Sequence, residues 1–247
     1  MRLTTFLLLA AVVVAPAGLT SGWRTETVTV DGLSSEWRTL EQIERGPAVG
    51  AVNDGEFLFL VVSARDPDMI AYLSRGLIVW LDPSGRRAET FGLRLEGVER
   101  PLLPGMTPTA SATAPDSIST TVLDEFDVLG PGKNQRRLVD LTPDLGIELA
   151  SSRAETEVAY ELKIPLQKTS ARPYAVGVAP GRTIGLGIAT PEAPVGRGQR
   201  ARLVGDSGSI GGDPWYGGGF AKYREDDGRR KPLEIWTTLS IAAGTRN

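Results

Sequence analysis

The side chains that could do chemistry in this sequence are tryptophans and aspartates, because the usual carriers of protons and metals are missing. The 247-residue chain has no histidine and no cysteine. That excludes a Ser-His-Asp arrangement, thiol catalysis and a cysteine-ligated metal, and it removes the commonest general base. The string "GDSGS" at 205–209 looks like a serine-protease loop, but no histidine exists to act as its base, so chance accounts for it. Carboxylate pairs occur at Asp124 with Asp127 and at Asp226 with Asp227. A glycosidase can work with two carboxylates ~5–10 Å apart. Both pairs fall in expected loops among other charges, where solvated surface is the more economical account. No catalytic residue is assigned, and a non-catalytic binding role is expected.

Binding by stacking is within reach of the aromatics. In "GLIVWLDPSG", residues 76–85, Leu77, Val79 and Leu81 share one face of a strand and Ile78, Trp80 and Asp82 the other. Trp80 is either a core residue of a strand covered on both sides, or the floor of a concave groove with Phe57, Phe59 or Trp236 nearby. Parity puts Trp236 outside the core with Glu234 and Thr238. The glycine-rich stretch 205–231 carries Trp215, Tyr216, Phe220 and Tyr223. Aromatic faces flanked by carboxylates suit carbohydrate, whose C–H faces stack on rings while its hydroxyls take polar partners. The expected ligand site is Trp80, Trp215, Tyr216 and Trp236 as stacking surface, with Asp82 as a polar contact. Asp31, Asp54 and Asp82 each stand in a glycine-bearing turn. None fits the D-x-D-x-D-G spacing, and ordinary turn chemistry explains all three. They would hold calcium only if two of the turns converge.

The elements that must position these residues read as strands. Period-two alternation or short apolar runs mark "ETVTV", "AVGAV", "EFLFLVVSARD", "GLIVWLD", "ETFGLRLEG", "GIELASS", "EVAYELKIPL", "TIGLGIAT" and "LEIWTTLSIA". Leu58, Leu60, Val62 and Ala64 should face the core, as should Phe91, Leu93 and Leu95. So should Val158, Tyr160, Leu162 and Ile164, with Glu157, Glu161 and Lys163 on a solvated face. A short helical turn is expected near 122–128, and long loops over 99–121 and 205–231. Residues 1–17 read as a signal peptide: one arginine, an apolar run from Phe6 to Ala15 and small residues at Ala15 and Ala17. That run is shorter than the ~20 residues of a spanning helix, so no transmembrane anchor is expected. Residues 24–247 then form a single all-β domain, an antiparallel β-sandwich of jelly-roll or immunoglobulin-like arrangement with long Gly/Pro-rich loops. A net charge of −3 with interspersed signs gives no footprint for nucleic acid.

The order "VDGLSSEW", "NDGEFLFLVV", "GLIVWLDPSG", "TFGLRL", "EVAYELKIPL" and "PLEIWTTLSIA" resembles exported bacterial proteins of the carbohydrate-binding-like sandwich group. That group includes family 9 carbohydrate-binding modules and DOMON-type domains, and the resemblance covers roughly residues 28–98 and 147–241. Family 9 modules imply sugar held between stacked tryptophans, with calcium as a structural ion. DOMON-type domains imply haem b on methionine with histidine or lysine. Without histidine, that pairing would fall to Met69 or Met106 with Lys163, one methionine in a proline-rich loop and the lysine on a polar strand face. The resemblance thus implies an exported, periplasmic or extracellular carbohydrate-binding protein. The alternative is an envelope-associated structural or protein-interaction domain that uses an exposed sheet edge.

Overall fold

The computed structural model describes residues 18–98, 118–132, 134–192 and 231–244. The expected signal peptide, Met106, the "GDSGS" string, Asp226, Asp227, Trp215 and Tyr216 lie outside the described residues. Fourteen strands are assigned among them: β1 Leu19–Thr20, β2 Gly22–Trp23, β3 Glu41–Gln42, β4 Ala48–Asn53, β5 Phe57–Ala64, β6 Gly76–Asp82, β7 Phe91–Glu96, β8 Ser119–Val122, β9 Glu125–Leu129, β10 Arg136–Asp140, β11 Glu148–Arg153, β12 Val158–Pro165, β13 Thr183–Ala189 and β14 Glu234–Ser240. One sheet runs β1-β14-β13-β6-β7-β9-β10 and the other β2-β4-β5-β12-β11-β8, with β3 also on β4. Together they form a β-sandwich.

The sheets are mixed rather than purely antiparallel, because β1 lies parallel to β14 and β2 parallel to β4. The cause is a crossing: residues 19–23 leave one sheet and enter the other, with Ser21 between them. Ser21 is buried, and its N–H donates to the Ser240 carbonyl at 2.9 Å. Asn53, fully buried, closes the junction. Its amide donates to the Asp54 and Ala242 carbonyls at 3.0 Å each, and its Oδ1 accepts from the Ala242 N–H at 2.9 Å.

Period two set the core as expected. Leu58, Leu60 and Val62 of β5, Leu93 and Leu95 of β7 and Val158, Tyr160, Leu162 and Ile164 of β12 are fully buried in one cluster between the sheets. Each such aliphatic side chain contributes about 1.5–3 kcal/mol by leaving water. Tyr160 satisfies its hydroxyl by donating to the Leu73 carbonyl at 2.8 Å.

Two expectations fail for local reasons, and one element was not expected. Residues 26–30, "ETVTV", form no strand; they alternate, but the chain leaves the sheet edge after Arg24 donates to Asn53. The stretch around 122–128 is not helical, since β8 and β9 carry it as strands in different sheets. A short helix, α1 Pro67–Leu73, was unread although its start is encoded. Asp66 accepts from the N–H groups of Asp68 and Met69 at 3.0 and 3.1 Å, and Pro67 occupies the first turn.

On the outward face of the first sheet, one cross-strand row reads Trp236, Gly187, Trp80, Gly92, Leu129 on β14, β13, β6, β7 and β9. A Cβ added to Gly92 would sit 2.7 Å from the Trp80 ring, and one at Gly187 2.9 Å from the Trp236 ring. The indoles lie where their neighbours have no side chain. Gly92→Ala should therefore lower stability by about 1–3 kcal/mol through overpacking. Gly55→Ala, where nothing lies within 4 Å of the new methyl, should stay within about 0.5 kcal/mol of wild type. Urea midpoints at unchanged slope measure both.

Candidate ligand-binding groove

The three turn aspartates each accept hydrogen bonds from the turn in which they stand. Asp82, 1% exposed, accepts from the N–H groups of Ser84, Arg86 and Ala88 at 3.0, 2.8 and 3.0 Å and from the hydroxyls of Ser84 and Thr90 at 2.8 and 3.2 Å. Burial pushes its pKa up, but these donors outweigh it and hold the carboxyl below its usual range. Asp54 accepts from the N–H groups of Glu56 and Phe57 at 2.8 Å each and pairs with Arg24 at 2.6 Å. Asp31 accepts from the Leu33 N–H at 2.9 Å. Among the described residues, no three carboxylates gather as a metal cage. The Met69 and Lys163 pair is also kept apart: Met69 packs into the core between the sheets, whereas Lys163 lies on the outward face, 4.7 Å from the Phe57 ring.

Trp80 takes the first of its two anticipated roles, a buried residue of a strand covered on both sides, and not that of a groove floor. It is 1% exposed, yet its cluster is Leu129, Ala189, Ile78 and Trp236 on the outward face, apart from the inter-sheet core. No face of its ring is open to a ligand. Trp236 is half-buried beside it and donates from Nε1 to Glu234 at 3.2 Å. So the structure brings Trp80 and Trp236 together, with Asp82 two residues along the same strand face and turned into its own loop.

A concavity lies on the other sheet. Its walls are residues 19–28, residues 36–39 with Glu41, and residues 49–52; its volume is about 460 Å³. Two tryptophans line it, Trp23 at 38% exposed and Trp37 half-buried. Arg38 reaches from one wall to Glu26 on another at 2.7 Å. Arg24 lies 5.1 Å from the Phe59 ring while it pairs with Asp54. Thr25, Thr27 and Thr39 add hydroxyls to the lining.

A buried acid fixes the second wall. Glu161 was expected on a solvated face, but it is 1% exposed, because residues 31–37 cross over β12. Its Oε2 accepts from the N–H groups of Asp31 and Gly32 at 2.9 and 2.8 Å, and its Oε1 accepts from Trp37 Nε1. Burial is the largest influence and pushes its pKa up; the Trp37, Gly32 and Asp31 donors oppose this, and the Asp31 charge adds to it. Gly32, at φ +88°, is pressed so close that a Cβ would meet the Ser151 carbonyl carbon at 2.7 Å.

No family model matches this sequence, and no curated protein does. Two solved structures of a family 9 carbohydrate-binding module from Caldicellulosiruptor kristjanssonii are similar to this chain. The one in complex with glucose has 12% identity and a TM-score of 0.44, over 93% of this chain and 97% of that one. The one in complex with cellotriose has 11% identity and a TM-score of 0.42, over 92% and 94%. No residue of the groove is assigned from this likeness.

Trp23 and Trp37 were missed because neither stands in an alternating strand. The available signal was their company: "GWRTET" and "SSEWRT" place each tryptophan before an arginine and a threonine in polar surroundings. A ring there has no apolar neighbours in sequence to bury it. Asp82→Asn should cost about 1–3 kcal/mol at neutral pH, since an amide faces several N–H donors. The folded pKa of Asp82 lies below 3.8, so the carboxylate's contribution is complete above that value and lost as pH falls through the folded pKa. The gap between wild type and variant in urea melts should therefore close in strong acid.

Proposed function

We propose that the groove between residues 19–28 and 36–41 binds carbohydrate, in an exported, non-catalytic binding protein. The observation that carries this reading is that two tryptophans, Trp23 and Trp37, line one concavity together with threonines and charged groups. Its volume of about 460 Å³ is within the range of small-ligand sites. Indole offers a flat, rigid surface at little entropic cost, and the hydroxyls, carboxylates and guanidinium around it can answer the hydroxyls of a sugar. Glu26, one of the glutamates in the lining, is engaged with Arg38, which fits holding a ligand better than transferring a proton to one. Export rests on the amino-terminal sequence pattern.

A specific observation favours a second reading, protein contact by strand addition. Val122 on β8 is 74% exposed, Leu138 on β10 58% and Ile118 55%, and β8 and β10 are the outermost strands at the same side of their two sheets.

Tryptophan emission titrated with a panel of soluble glycans separates the two. Saturable change with one sugar class is expected. Trp23→Ala and Trp37→Ala should each weaken binding by about 2 kcal/mol or more, roughly thirtyfold in Kd. Trp236→Ala should leave affinity unchanged. A folded protein with no response across the panel rejects the sugar reading in favour of strand addition, and a saturable response with wild-type affinity in both groove variants rejects this groove as the site.

A further inference from the structure

A carboxylate in the interior is normally paired with a cation, because losing its hydration is costly. Glu161 is held by three neutral donors: the backbone N–H groups of Asp31 and Gly32 and the indole N–H of Trp37. It stands on the outward face of β12, opposite Ala150 of β11 and Val61 of β5, so neither neighbouring strand offers it a charge in register. The charged groups around it are engaged elsewhere or repel it. Asp31 bears the same sign; Glu157 takes the Ser34 hydroxyl and Arg65; Lys163 pairs with Glu148 at 2.5 Å. The indole itself is pinned between this acceptor and Gly50, where a Cβ would lie 2.8 Å from the ring. One side chain thus joins a central strand to the wall that carries half of the groove's aromatic surface.

We infer that Glu161 is the positioning residue of the groove: it makes no ligand contact, but by accepting the Trp37 indole N–H it sets the ring's angle and so the affinity for ligand. This rests on the carbohydrate reading above, and it also makes a claim about the ligand-free protein. Replacing the carboxylate by an amide keeps the size of the side chain but turns one of its two acceptors into a donor. Either the indole or the two backbone groups then lose their partner. The ring would keep its place on Gly50 but lose its fixed tilt.

Glu161→Gln, Trp37→Phe and the double variant test this, first without ligand and then with the soluble glycan that gives the strongest response. In the ligand-free protein, emission attributable to Trp37, taken as the difference from Trp37→Phe, should titrate with a midpoint above 4.5 in wild type and be flat in Glu161→Gln. With ligand, Glu161→Gln should weaken binding about tenfold, and in the Trp37→Phe background it should have no further effect, because both changes act on one ring. Equal losses in both backgrounds, or wild-type affinity in Glu161→Gln, overturn the inference. If Glu161→Gln does not fold, the emission titration of wild type against Trp37→Phe still decides: an indole signal that does not move with pH overturns it. If no glycan binds, the same titration judges the positioning of Trp37 apart from the function of the groove.

Discussion

Every described tryptophan lies on a glycine. Trp80 covers Gly92, Trp236 covers Gly187, Trp37 covers Gly50 and Trp23 covers Gly244, each so closely that a methyl group would come within 3 Å of the ring. A pleated sheet normally presents side chains on both faces, which hold a large ring away from the backbone. Removing one Cβ makes a seat in which an indole can lie down. This single constraint explains why the outward faces of this sandwich are not simply polar. It gives the first sheet a small dry cluster of its own, and it lets residues 24–40 settle over the second sheet and enclose a groove there.

Two acids show how the same functional group serves local and distant order. Asp82 is surrounded by donors from the eight residues that follow it, so its turn carries its own stabilisation wherever the strand is placed. Glu161 takes donors 124 to 130 residues away along the chain. Its bonds tie the segment over residues 31–37 to a strand far along the chain, so they depend on the sandwich being in place. At Asp82 the donors outweigh burial, whereas at Glu161 the heavier burial and the Asp31 charge outweigh the donors, so the two pKa shifts run in opposite directions.

Most of the strands were legible because one face of each meets a core, which leaves a period of two in the sequence. "GLIVWLD" was legible even as a central strand, since both of its faces are apolar. The fate of Trp80 was not, because burial on an outward face depends on Gly92 and Gly187, which come close only through strand pairing. β8 and β10 escaped notice because edge strands have little to bury; Ser119–Val122 is exposed at every residue. Glu161 read as solvated for the mirror-image reason. Alternation assigns a side chain to a face but says nothing of what later covers that face. The groove tryptophans were illegible by the same rule, as they belong to segments with no periodicity.

The crossing at residues 19–23 has a mechanical meaning. β1 and β14 run in the same direction, with Leu19 opposite Leu239 and Thr20 opposite Ser240, and the junction of Ser21, Asn53 and Ala242 locks them at one end. Tension applied at Gly18 and Gly244 would draw these strands past one another lengthwise. Their bonds would then bear the load together in shear, instead of opening in turn like a zip. Resistance to such a pull is set by the rate of rupture and not by equilibrium stability.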